Sequence, residues 1–110
     1  MTGQDELGKV YVDEKVREYL QNILQATREP AEWLAGVLES GAPEEDSGRI
    51  MNIAKEHAVR AGRKYVMPED IRSAAEDTLS LTLILSSRSE AEGLAIESVI
   101  KKIFDMIETP

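Results

Sequence analysis

The sequence predicts a mainly α domain: a small bundle of four to five helices, with at most a minor short β pair. Three observations predict it. Apolar residues recur at helical spacing along several separate stretches. Each stretch is apolar on one side only, so each helix must cover another. Between the stretches stand residues that start or stop helices, such as Asp13, Pro30, Gly62 and Pro68. One domain with one modest core is expected over residues 10–110, preceded by a flexible, polar segment over residues 1–9.

Val10 to Val12 reads as extended, and Asp13 then caps a first helix to about Thr27. Its apolar stripe is Val16, Leu20, Ile23 and Leu24, and its wet side is Glu14, Lys15, Arg17 and Glu18. Pro30 opens a short second helix that carries Trp33, Leu34, Val37 and Leu38 on one face. Ser40, Gly41, Ala42 and Pro43 break it. The stretch from Ser47 to Ile71 organises the chain. Ile50, Ile53, Ala54, His57, Ala58 and Ala61 recur at helical spacing, with Asp46 and Ser47 available as caps. Gly62 suits a left-handed stop, and Arg60, Arg63 and Lys64 suit the negative end of the helix dipole. Tyr65 and Val66 favour extended backbone before Pro68 starts a helix to about Leu79 that buries Ile71, Ala74, Ala75 and Thr78. Leu81 to Ser86 is expected to be extended, Arg88 to Gly93 a polar connection. A last helix from about Ala95 to Glu108 buries Ile96, Val99, Ile100, Ile103, Phe104 and Ile107.

A net charge of −8 sets a surface that repels phosphate backbones, so no nucleic-acid partner is expected. The absence of cysteine removes disulfides and thiolate sites and makes the cytoplasm the default compartment. No apolar run is long enough for a membrane span, and the start lacks the pattern of a signal peptide.

Catalytic chemistry finds no constellation. Neither a G-x-x-x-x-G-K-[ST] loop nor a G-x-G-x-x-G turn is present. His57 is the one histidine and lies on an apolar stripe, which suits a partly buried core residue better than a metal ligand or base. Acidic pairs at helix starts complement the dipole, Trp33 reads as core, and the basic group at Arg60, Arg63 and Lys64 reads as a helix-end cluster. The chain alone is therefore expected not to be an enzyme, with no catalytic and no metal-binding residues and no cofactor of its own.

Several stretches, taken in order, resemble one family. VDEKVREYLQNILQATREP (12–30), the SGAP turn, AKEHAVRAGRKYVMPEDI (54–71), LILSSRSEAEG and the closing IxxVIKKIFDMIETP together resemble the C-terminal lid of the MoxR family of AAA+ ATPases. The resemblance implies a helical lid over a nucleotide held by an α/β ATPase domain, in cis or in trans. It also implies ATP and magnesium for a parent protein, a possible ring of identical subunits, and ATP-dependent remodelling or maturation of a client protein.

Two departures stand out. Such lids usually read G-A-S-P-R at the start of the third helix, where the arginine contacts terminal phosphates. Here the run is Gly41, Ala42, Pro43, Glu44, Glu45, so the arginine position falls on Glu45 and the nearest arginine is Arg49. Glu45 and Arg49 are thus the candidate nucleotide-sensing positions. The family's His-Arg pair falls on Leu81 and Thr82. Both changes remove positive charge. A second resemblance stays open: AVRAGRKYVMPEDI is similar to the end of a histone fold's central helix, which would imply a dimerising interaction module. A third-helix start near Asp46 and the acidic charge speak against it.

Overall fold

Asp13 starts the first helix as its chemistry requires: its side chain accepts a hydrogen bond from the amide of Lys15 at 3.0 Å. In the computed structural model, which describes residues 7–110, this helix is α1, Glu14–Arg28. The α-helices that follow are α2 (Asp46–Arg60), α3 (Pro68–Thr82), α4 (Ser87–Ala91) and α5 (Ile96–Met106). Strands β1 (Leu38–Ser40) and β2 (Ile84–Leu85) pair antiparallel, Leu38 with Leu85 and Ser40 with Ile84, with an irregularity between. The mainly α fold with a minor β pair is as expected. Of the predicted flexible segment, residues 1–6 lie outside the described residues.

Helices α2 and α3 form a hairpin with small buried residues on both: Ala54 and Ala58 on one, Ala74 and Ala75 on the other, all fully buried. Small side chains let two helix axes approach closely. Ile50 and Ile71 fill the space beside them. Leu20, Ile23 and Leu24 of α1 and Val99, Ile100 and Ile103 of α5 complete one core. Gly62, with φ of 76°, ends α2 in the left-handed conformation expected of it. Tyr11 then pairs in parallel with Tyr65, donating to the carbonyl of Lys64 at 2.8 Å. The start of α1 thereby lies at the α2–α3 elbow, and its other end lies beside the start of α2.

The structure corrects several expectations. No helix runs from Pro30 to Leu38. Only a 3₁₀ turn forms, Glu32–Leu34, and the chain then becomes extended and pairs with β2. Ala35 is already extended and Gly36 has φ of 78°, so the helix is cut after one turn. Such a short helix is marginal unless packing supports it. Trp33 is accordingly 38% exposed and not core. Helix α3 runs on to Thr82, three residues beyond the expected end, and only Ile84–Leu85 of the apolar run is strand. The polar connection after it holds α4, whose start is capped by Ser86 accepting from the amide of Ser89. Ile53, Ile96 and Ile107 are half-buried and pack on the margin of the core. Tyr19, which the apolar stripe did not include, is buried. Helix α2 has 15 residues, far short of a histone fold's central helix, which excludes that alternative.

Because Ile71 is fully buried in the helical hairpin, Ile71→Ala is expected to cost about 2–5 kcal/mol. Ile53→Ala, at the core margin, is expected to cost clearly less. Urea unfolding followed by far-UV circular dichroism measures both, and equal losses would contradict the packing described.

Candidate functional site

The end of the bundle where the resemblance places nucleotide sensing is built around the loop Gly41–Glu45. Gly41 crosses α1 so closely that a Cβ would lie 2.6 Å from the carbonyl oxygen of Thr27, so only glycine fits. The Thr27 hydroxyl accepts from the amide of Ala42 at 3.0 Å. Arg28 donates from Nε to the carbonyl of Ala42 at 2.9 Å and from Nη2 to that of Pro43 at 3.0 Å. The Gly-Ala-Pro run is thus a docking loop, and it fixes where α2 starts.

At that start neither Asp46 nor Ser47 acts as the expected cap. Glu45 is the residue before the helix, in helical conformation and without a side-chain cap bond. The amides of Asp46, Ser47 and Arg49 are taken by the carbonyls of Pro43, Glu44 and Glu45 at 3.1, 3.4 and 3.2 Å. Asp46 turns inward instead and is fully buried. Its Oδ2 accepts from the Thr82 hydroxyl at 2.6 Å, which ties the start of α2 to the end of α3. Its Oδ1 has no hydrogen-bond donor among the described residues, and the nearest charge is Arg49 Nη1 at 3.9 Å. That is a charge pair and too long for a hydrogen bond.

The two sequence candidates therefore separate. Glu45 is exposed, with its carboxylate in solvent beside Glu44. Arg49 is on the surface one turn along, its guanidinium beside the buried Asp46. Thr82 is half-buried where the resemblance expects an arginine, and its hydroxyl serves Asp46. Sequence reasoning missed Asp46 as an inward-facing group because three acids in a row look alike. The signal that separates them is Thr82, and it is visible only once α2 and α3 are paired. Beside this end Leu81 is 86% and Ile84 51% exposed.

At the elbow, the basic group resolves differently. Arg63 leaves the helix-end cluster and holds Asp70 with two bonds, Nη1–Oδ2 at 2.7 Å and Nη2–Oδ1 at 2.9 Å. Asp70 Oδ2 also accepts from the amide of Met67 at 2.8 Å. Burial alone would raise the Asp70 pKa. The bonds from Arg63 and Met67 outweigh it and hold this carboxyl below its usual range. His57 is half-buried in α2, as its stripe position implies.

This arrangement is a helical hairpin with a docking loop and two further helices, and comparison with known proteins gives it a class. A family model described as the AAA lid domain matches residues 47–103, about half of the chain. The chain belongs to that family. Within it, the chain is a C-terminal lid of the MoxR type. It is 27% identical over 104 residues to Chaperone MoxR1 of Mycobacterium tuberculosis, covering 91% of this chain and 28% of that protein. It is 30% identical over 107 residues to the uncharacterized protein YeaC of Bacillus subtilis, covering 97% of this chain and 32% of the relative. A crystal structure of a candidate ATPase from Cytophaga hutchinsonii superposes with a TM-score of 0.91 at 32% identity, over 97% of this chain and 34% of that one. The chain thus spans about a third of the length of the curated relatives it matches.

Two predictions test this geometry. Thr82→Val strips the buried Asp46 carboxylate of its one hydrogen-bond donor and is expected to cost about 1–3 kcal/mol. Replacing both partners, Asp46→Leu with Thr82→Val, is expected to cost less than the single change, because neither partner is then left buried and unpaired. Thermal unfolding compares them. For Asp70, the folded pKa lies below the unfolded one. Its contribution is therefore present above the unfolded value, near pH 4, and is lost as pH falls through the folded value. Asp70→Asn should flatten acid unfolding in that window below about pH 4, and an unchanged acid limb would contradict the clasp.

Proposed function

We propose that the chain acts as the lid of a MoxR-type AAA+ ATPase, packing on an α/β ATPase domain supplied in cis or in trans. ATP, magnesium, ring assembly and the remodelling or maturation of a client protein belong, in this reading, to the parent protein. The chain itself carries no catalytic step and no cofactor. Its compartment in this proposal is the cytoplasm, in keeping with a sequence free of cysteine. No helix of the described residues is long and apolar enough to cross a membrane. The observation that carries the reading is the end-to-end likeness of this chain to one third of a candidate ATPase. The exposed Leu81 and Ile84, beside the start of α2, are the apolar face proposed to take the ATPase domain.

The same reading holds that this lid does not sense nucleotide in the usual way. An arginine at position 45 could place a forked, permanent charge on a phosphate, whereas Glu45 repels one. Arg49 sits beside Asp46, and the amides of Asp46, Ser47 and Arg49 are already bonded. No ATP or ADP binding by the chain alone is expected, and Glu45→Arg is not expected to create it without an α/β domain. Titration of ATP with magnesium, followed by amide shifts over residues 44–50, tests this. Saturable shifts there below about 1 mM would show Arg49 reaching phosphate. Separately, Leu81→Asp with Ile84→Asp is expected to weaken association with a MoxR-type α/β domain at least about tenfold in a pull-down titration.

A further inference from the structure

A second surface lies at the other side of the bundle end, where α1 and α5 terminate together. A groove of about 390 Å³ runs between them, with Gln25 and Ala26 of α1 facing Ile103, Met106 and Ile107 across it, and Trp33 at its edge. Trp33 and Met106 also border a second groove of about 280 Å³ on the far side. Ile103 is fully buried and makes an apolar floor, while Met106 is 64% exposed. An exposed tryptophan beside an exposed methionine is an adaptable apolar surface.

The charge around it is mostly negative. Glu29 and Glu108 line the first groove and Asp105 the second, where Lys102 is the one cation. Both helices also present their negative dipole ends here, since the lining follows α1 to Glu29 and α5 to Ile107. Helix α5 has no basic residue in its last turn. The last-turn arginine of α1, Arg28, is bonded to the carbonyls of Ala42 and Pro43 and does not neutralise the groove. An apolar floor, acidic walls and two converging helix C-termini suit a partner that is apolar on one face and cationic around it. A second copy of this chain, at net charge −8, is a poor match.

We infer that this groove docks a cationic amphipathic helix of a partner protein, its apolar face on Trp33 and Met106 and its Lys or Arg side chains on Glu29 and Glu108. The inference does not rest on the lid reading, because the groove lies apart from Leu81 and Ile84.

Trp33 is the one tryptophan and reports binding directly. The probe is a synthetic helix of about 18 residues built from Leu and Lys in amphipathic register, with a Leu and Glu counterpart as control. The Lys peptide is expected to shift Trp33 emission saturably at micromolar concentration, and the Glu peptide is not. Raising salt from about 0.05 to about 0.5 M should weaken binding at least about tenfold. Glu29→Lys with Glu108→Lys should weaken it about tenfold, and Glu56→Lys, at the elbow end of α2, should not. These residues are exposed, and an unchanged unfolding midpoint verifies that the variants fold. Met106→Ser should weaken binding about threefold with the charges intact. Equal binding of the Glu peptide overturns the inference, as do indifference to Glu29 and Glu108, amide shifts spread over the whole acidic surface, or no shift at about 1 mM peptide. Self-association that shifts Trp33 emission without peptide also overturns it and assigns the groove to contacts between copies.

Discussion

The close approach of α2 and α3 is the constraint on which the rest of this structure depends. Small buried residues line the hairpin on both helices, Ala54 and Ala58 on one and Ala74 and Ala75 on the other, all without solvent exposure. A larger side chain at any of them would overpack the core. The elbow supports the same approach from outside. Gly62 turns the chain in a left-handed conformation, and Arg63 then reaches across the turn to Asp70. Helices α1 and α5 pack on a surface that this hairpin has already shaped.

The hairpin is pinned at each end by one buried carboxylate, and the two ends differ in chemistry. At the elbow, Asp70 has two bonds from a guanidinium and one from a backbone amide. Its charge is fully answered, and its pKa falls despite burial. At the open end, Asp46 has one hydroxyl donor and a distant guanidinium. A buried acid with so few donors depends on each of them, and Thr82 supplies the one hydroxyl that serves it. The residue that takes the place of a family arginine is thus tied to the acid one position after the other missing arginine.

The helices with strong one-sided stripes were legible in the sequence. Asp13, Gly62 and Pro68 behave as their local chemistry dictates, because caps and stops act over a few residues. The region from Pro30 to Leu38 was not. Its apolar spacing suits a helix, yet Gly36 breaks it and Leu38 is drawn into pairing with Leu85, a partner 47 positions away. Such pairing leaves no local mark. The candidate positions at Glu45 and Arg49 could be placed at a helix start from sequence alone. What they do there could not, because it depends on Asp46 facing inward, on Thr82 from another helix, and on amides already spent in the turn before.

These contacts also decide how the start of α2 treats an anion. A helix start attracts phosphate through free amides and a positive dipole end. Here the amides of Asp46, Ser47 and Arg49 are bonded to the preceding turn, and Glu44 and Glu45 stand in solvent beside them. One unit charge 4 Å from another interacts by about 4 kcal/mol at an effective dielectric of 20, so a single glutamate at that distance offsets what one arginine would contribute. Of the cations nearby, Arg28 is bonded to the docking loop and Arg49 stands 3.9 Å from Asp46. Restoring one arginine would therefore leave the other charges in place. In the proposed function this end is held by packing, through the exposed Leu81 and Ile84, more than by attraction to a phosphate.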